Sequence, residues 1–163
     1  MASSEGFEAF YAATVGRLLG QLLPVTGDLH EAEEVVQEAF TRAAARWSRL
    51  RDYEVPEAWV RRVAMNLVAD RARNLRRQAK AMLKLRRHQR SCRPRPRRSP
   101  WPKRCAPLPI RQRQVLVLHY LVDLPVQEVA HTLGMPTGTV KSLLSRGRRA
   151  LANQLSDPEE VLS

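Results

Sequence analysis

The residues best suited to chemistry lie near the C-terminal end. Thr139, Lys141, Ser142, Ser145, Arg146 and Arg149 share one side of a helical pattern whose other side is Val140, Leu144, Gly147 and Leu151. Hydroxyls near a helix start reach phosphates or base edges, and arginine bonds guanine O6 and N7 in a major groove. A second stretch sets Trp59, Arg62, Asn66, Asp70 and Arg73 against an apolar stripe of Val60, Val63, Ala64, Leu67 and Val68. An aromatic ring, an amide and guanidinium groups on one face suit single-stranded nucleic acid, where exposed bases stack and phosphates need counter-charge. A third polar set, Glu34, Gln37, Glu38 and Thr41, lies opposite Ala32, Val35, Val36, Ala39, Phe40, Ala43 and Trp47. Its default role is to face solvent, and its residues are expected to be replaceable without unfolding.

Catalytic chemistry is not legible. There is no Gly-rich phosphate loop, no His–Glu pair at metal spacing and no nucleophile elbow. The four histidines, at 30, 88, 119 and 131, are scattered. His88, Cys92 and Cys105 match no standard zinc spacing and have no fourth ligand nearby. The expectation is a non-enzyme with no catalytic residue, no metal site and no cofactor.

The elements that must position these faces read as helices throughout. Phe7, Phe10, Tyr11, Thr14, Val15, Leu18 and Leu19 recur at three- and four-residue spacing, and that helix stops near Thr26-Gly27. Asp28 and Glu31 form a candidate capping box for the next helix. A loop from Ser48 to Val55 precedes a helix that starts at Pro56. Later, Ile110 to Leu121 and Val126 to Leu133 read as two helices, Gly134-Met135-Pro136 as a turn, and Thr137 as the N-cap of the basic helix. Helix, tight turn and basic helix make a helix-turn-helix plan.

Charge divides the 163 residues into three parts. Residues 1–70 carry net −4, residues 71–107 carry +15 with no carboxylate, and residues 108–163 carry +1, for a total of +12. From Ser91 to Pro109 the chain is also proline-rich, with Pro94, Pro96, Pro100, Pro102, Pro107 and Pro109, which forbids a continuous helix there. Seven glycines and 6% aromatics argue against a β-sandwich or propeller. The fold class expected is all-α: two small helical domains, 5–78 and 108–155, joined by a basic Pro-rich linker, 79–107, with a tail at 156–163. Met1-Ala2-Ser3-Ser4-Glu5 carries no signal-peptide pattern, and no apolar run is long enough to span a bilayer. These features lead to the expectation of a cytoplasmic protein with no membrane partner.

Taken together, the motifs resemble the bacterial RNA polymerase sigma factors of the extracytoplasmic-function (ECF) type, sigma-70 group IV. The stretch from Asp28 to Phe40 resembles the family's region 2.2. The stretch from Ala58 to Arg73 resembles regions 2.3 and 2.4. Leu108 to Leu133 resembles region 4.1 and the first helix of the helix-turn-helix, and Gly138-Thr139-Val140-Lys141-Ser142 with Ser145-Arg146 resembles the start of the −35 recognition helix. The resemblance implies a factor that directs core polymerase to promoters. Its implied partners are core RNA polymerase, through the β′ clamp and the β flap, promoter DNA, and an anti-sigma factor. It assigns Glu34, Gln37, Glu38 and Thr41 to polymerase, Trp59, Arg62, Asn66, Asp70 and Arg73 to the −10 element, and Thr139, Lys141, Ser142, Ser145, Arg146 and Arg149 to −35 duplex. The Ser48–Val55 loop becomes a candidate base-capturing loop.

Two departures stand out. Leu143 occupies a recognition-helix position where the family usually has Arg. The bridge is basic where family linkers are commonly acidic, a composition that fits either a true basic linker or a compensated frame shift in a GC-rich gene. The alternative functions are a conventional helix-turn-helix regulator binding duplex DNA as a dimer, and a basic adaptor binding RNA or membrane through residues 71–107.

Overall fold

The computed structural model describes residues 2–85 and 108–155, and within them the regular elements are all helices. The helices are α1 (Ala2–Thr26), α2 (Leu29–Ala44), α3 (Trp47–Leu50), α4 (Pro56–Leu85), α5 (Ile110–Leu116), α6 (Val126–Leu133) and α7 (Thr137–Leu155), with a π-helical segment, Val117–Leu121, continuing α5. His88, Cys92 and Cys105, and residues 86–107 of the basic linker, lie outside the described residues.

Helices α1, α2 and α4 form the first bundle. Leu18, Leu22 and Val25 of α1, the α2 stripe from Ala32 to Ala43, and Val60, Ala64 and Val68 of α4 are buried together. Gly27, at φ +77°, turns the chain out of α1, and Asp28 caps α2 by accepting from the Glu31 amide at 2.9 Å. That is half of the expected capping box; the Asp28 amide is met instead by Thr26 Oγ1 at 3.4 Å. Trp47 does not extend the α2 stripe. The helix ends at Ala44, and Trp47 opens α3, where its ring stacks on Phe10 at 5.1 Å.

Helix α4 runs to Leu85, seven residues past the boundary expected at 78. The sequence from Gln78 to Leu85 contains only good helix formers, and the first linker proline is Pro94. Met65, absent from the expected stripe, is fully buried.

Helices α5, α6 and α7 form the second bundle around Val115, Leu118, Val129, Val140 and Leu144. Gly134, left-handed at φ +62°, ends α6. Pro136, not Thr137, takes the cap position of α7, since its carbonyl accepts from the Val140 amide at 3.2 Å. Gly147 lets α7 approach α5: a Cβ there would sit 2.9 Å from Leu116 Cδ1. Leu143 is half-buried and packs against this core, so the residue that departs from the family's arginine serves packing.

The two bundles touch. Gln114 of α5 is fully buried and donates from Nε2 to the Met65 carbonyl of α4 at 2.6 Å, while Arg111 Nη1 donates to its Oε1 at 3.3 Å. Arg113 reaches back to the Thr26 carbonyl at 3.3 Å. Burial holds the Arg111 guanidinium below its ordinary pKa, with Arg73 acting in the same direction and Asp70 opposing.

Candidate nucleic-acid and polymerase interfaces

Helix α4 displays its polar residues as the 3.6-residue period requires. Arg62, Asn66, Asp70 and Arg73 are exposed along one side, with Trp59 half-buried at the head of the row. Asp70 and Arg73 pair with each other. The row is not wholly free. Arg62 Nη1 lies 3.5 Å from His131 Nε2 on α6; a guanidinium only donates, so this ring nitrogen accepts.

Trp59 also borders a hollow of about 510 Å³ with Arg46, Ser48, Arg49, Leu50 and Tyr53. Arg46 stands over the Trp59 ring, 5.8 Å from its centroid. A cationic rim beside an indole and a phenol can hold a flat, electron-rich ring and a neighbouring phosphate. The α3 region therefore adds Arg46, Arg49 and Tyr53 to the α4 row. Sequence reasoning placed a loop here but not these side chains, because the segment has no periodicity from which to read a face.

On the far side of α4 the expected polymerase face has a structural duty as well. Arg71 of α4 bridges Glu34 at 2.9 Å and Glu38 at 3.2 Å on α2, and Arg42 also holds Glu38 at 2.6 Å. The side chain of Arg71 is only 29% exposed, so these pairs are partly sheltered from solvent. Gln37 and Thr41 are exposed beside them, with Thr41 Oγ1 donating to the Gln37 carbonyl at 2.8 Å. The acidic face is thus a tie between two helices, not merely solvated surface.

On α7, Thr139, Lys141, Ser142, Ser145, Arg146 and Arg149 are all exposed, as the alternation with Val140, Leu144 and Gly147 demands. Three faces result: a mixed aromatic and basic row on α4, an acidic face on α2, and a hydroxyl and basic face on α7.

Residues 10–78 match the profile of sigma-70 region 2, and residues 106–151 match that of sigma-70 region 4. The ECF RNA polymerase sigma factor SigW of Bacillus subtilis (strain 168) is 31% identical to this chain over 159 residues, covering 80% of this chain and 79% of that protein. This chain is an ECF-type member of the sigma-70 family. The RNA polymerase sigma-E factor of Streptomyces antibioticus is 32% identical over 127 residues, covering 77% and 71% of the two chains. Among solved structures, the sigma factor RpoE in complex with the anti-sigma factor NepR from Bartonella quintana has a TM-score of 0.68 at 20% identity, covering 93% of this chain and 97% of that one. CnrH in complex with the cytosolic domain of CnrY has a TM-score of 0.59 at 24% identity, covering 93% and 88%. Both share the fold of this sigma factor.

Membership sets the function: this sigma factor directs RNA polymerase to promoters and is not itself an enzyme. It also corrects one expectation. A plain cytoplasmic address was read from the absence of a signal peptide and an apolar span. Of the two solved structures above, one is a sigma factor bound to the anti-sigma factor NepR and the other is CnrH bound to the cytosolic domain of CnrY. The chain's own sequence is therefore the wrong place to read an address, and the cytoplasmic assignment is withdrawn. Among the described residues, no helix is long and apolar enough to cross a membrane, and no cluster of His, Cys, Asp or Glu could hold a metal ion.

Proposed function

We propose that the sigma factor reads promoter DNA with two separate faces and docks on core RNA polymerase with a third. Helix α7 enters duplex at the −35 element through Thr139, Lys141, Ser142, Ser145, Arg146 and Arg149. The α4 row, Trp59, Arg62, Asn66, Asp70 and Arg73, takes the melted −10 strand. Glu34, Gln37, Glu38 and Thr41 meet the polymerase clamp. The observation that carries this reading is the hollow walled by Trp59, Tyr53, Arg46 and Arg49 at the head of the α4 row. A base leaving the stack gains about 1–3 kcal/mol on an aromatic platform, which offsets part of the cost of opening the duplex.

The arrangement must open for both elements to be read at once. Their centres are about 25 base pairs apart, or ~85 Å of duplex at 3.4 Å per step. Here Arg62 of the α4 row is within 3.5 Å of α6. The 22 residues between Leu85 and Leu108 reach at most ~80 Å when fully extended. That reach, added to the lengths of α4 and α7, suffices. Parting the bundles exposes Gln114 and frees Arg62. An anti-sigma factor is the further partner proposed, supported by the complexes of similar fold.

The test is run-off transcription with bacterial core polymerase on a promoter library. Promoter-specific transcripts are expected. Trp59→Ala and Tyr53→Ala should each reduce open-complex formation about tenfold or more while leaving −35 duplex binding unchanged. Failure to bind core polymerase at low salt would overturn the docking assignment, and equal loss of −35 duplex binding would overturn the division between the faces.

A further inference from the structure

A hollow of about 440 Å³ lies where α1, the head of α4 and the end of the π-helical segment meet. One of its walls is a polar residue in an apolar place. Gln21 sits three residues after Leu18 and four before Val25, on the inward side of α1, and is only 6% exposed. Its Oε1 accepts from Arg61 Nε at 3.1 Å. That bond fixes the amide, because arginine only donates, so Nε2 is turned away from Arg61. Among the described residues, no group accepts from Gln21 Nε2. A buried amide donor left unmet is costly, and one that lines a hollow calls for an acceptor there.

The other walls say what kind of acceptor. Glu57 is held from two sides, by Arg61 Nη2 at 3.0 Å and by Arg17 Nη2 at 3.1 Å. Arg61 is nearly buried in this network, whereas the Arg17 side chain is 59% exposed at the mouth. A guanidinium carries five N–H donors, so Arg17 has donors beyond the one that Glu57 takes. Two guanidinium groups against one carboxylate leave the lining with one net positive charge. Across the hollow stands an apolar wall from the second bundle, Val122 with Leu121, which is 58% exposed. Gly20 presents no side chain, and a Cβ there would meet nothing within 4 Å.

We infer that this hollow binds a small monocarboxylate with a compact apolar body. The carboxylate takes the Gln21 Nε2 donor and the Arg17 guanidinium, and the body lies over Gly20 against Leu121 and Val122. One negative charge balances the lining, whereas a dianion would leave a charge unmatched beside Glu57. The volume falls at the lower end of small-molecule sites, which span about 300–1,000 Å³. Because Gln21 and Arg17 belong to the first bundle and Leu121 and Val122 to the second, an occupant touches both. It favours the closed arrangement by as much as it prefers that arrangement to the open one. The inference does not depend on the assignment of the DNA faces.

The test is an NMR titration of the full chain with isovalerate and phenylacetate, and with isovaleramide as the uncharged match. The side-chain amide resonances of Gln21 and the methyl resonances of Leu121 and Val122 should move together and saturate. Isovaleramide should bind about tenfold more weakly than isovalerate, because it lacks the charge-assisted bonds. Arg17→Gln should weaken isovalerate and leave isovaleramide unchanged. Gly20→Leu fills the hollow, meets no atom at its Cβ and suits a helix better than glycine. It should abolish the saturable shifts in a protein that melts no earlier than the original. No saturable movement with either acid up to about 20 mM, a range that covers ligands of so few atoms, would overturn the inference and mean that solvent alone meets Gln21. Equal affinity for isovalerate and isovaleramide would overturn the carboxylate. Shifts confined to Gln21 would overturn a site shared by the bundles, and undiminished shifts in the Gly20→Leu protein would place binding elsewhere.

Discussion

The two DNA-facing helices are held in opposite ways. Helix α7 is fixed by packing: Val140 and Leu144 are buried, and Gly147 is in contact with Leu116. Helix α4 has an apolar side too, but polar links on several sides set its position. Arg71 ties it to Glu34 and Glu38 of α2, Arg61 bonds Gln21 of α1 at 3.1 Å, and its Met65 carbonyl accepts from Gln114 of α5. Apolar packing is short-ranged and has no charge to screen or titrate, whereas ion pairs such as those of Arg71 respond to both salt and pH. The −35 reader should therefore behave as a rigid body, and the −10 reader as an element whose placement can be retuned.

The largest effect that would sharpen this contrast is expected at Gly147. The Cβ of even an alanine would meet Leu116 Cδ1 at 2.9 Å and Cγ at 3.2 Å. Alanine recovers up to about 1 kcal/mol of helix propensity, and the Leu116 tip can yield, so Gly147→Ala should be nearly neutral. Gly147→Leu has no such escape. It should cost about 3 kcal/mol or more by overpacking and abolish −35 duplex binding. Limited proteolysis should then cut the second bundle before the first. Simultaneous loss of both bundles would show that α7 depends on the first bundle as well.

Next comes Gln114→Ala, which removes a fully buried side chain and its bond to Met65. A lost buried hydrogen bond plus a cavity should cost about 2 kcal/mol in a urea melt. The same variant should expand the particle in small-angle scattering, because the link it removes joins the two bundles. An unchanged scattering profile with a lowered melt would assign Gln114 to stability alone.

These two positions also show what was legible in sequence. The α7 face was read correctly because four apolar residues at steps of four, three and four fix which side is buried. The glycine among them marks a close approach whose partner, Leu116, only packing reveals. Gln114 carried a signal that went unread: it sits four residues after Ile110 and four before Leu118, a polar residue on an apolar face. Its partner is a main-chain carbonyl 49 positions away, which no residue pattern encodes. The Arg71 bridge was hidden for a related reason. Glu34 and Glu38 look solvated on an isolated α2, and only the docking of α4 brings a cation to them.

A smaller effect is expected at that bridge. Glu34→Lys with Glu38→Lys should weaken polymerase docking, and it should also lower the melting temperature by a few degrees, since partly sheltered pairs contribute up to about 1 kcal/mol and the new lysines repel Arg71. The loss should shrink in high salt. An unmoved melt would restore the simpler view of a purely solvated face.

The smallest effect concerns Glu31, beside the same bridge. Burial pushes its carboxyl above the ordinary value; Arg71 pulls it down, Asp28 pushes it up, Arg113 pulls it down, and Glu34 pushes it up. A carboxyl whose pKa is raised on folding binds its proton more tightly in the folded state. Stability therefore falls as pH rises from the ordinary carboxylate value through the raised one, and the deficit persists at neutral pH. Glu31→Gln removes the charge and keeps the backbone amide that Asp28 caps. It should raise the melting temperature by a degree or two at pH 7 and leave it unchanged well below the ordinary carboxylate value, where both states are protonated. A rise of equal size at both pH values would mean that the gain comes from packing, and a fall at pH 7 would mean that attraction to Arg71 outweighs burial. The first result would move α4 from the electrostatically tuned class towards that of α7, and the second would place it more firmly in the tuned class.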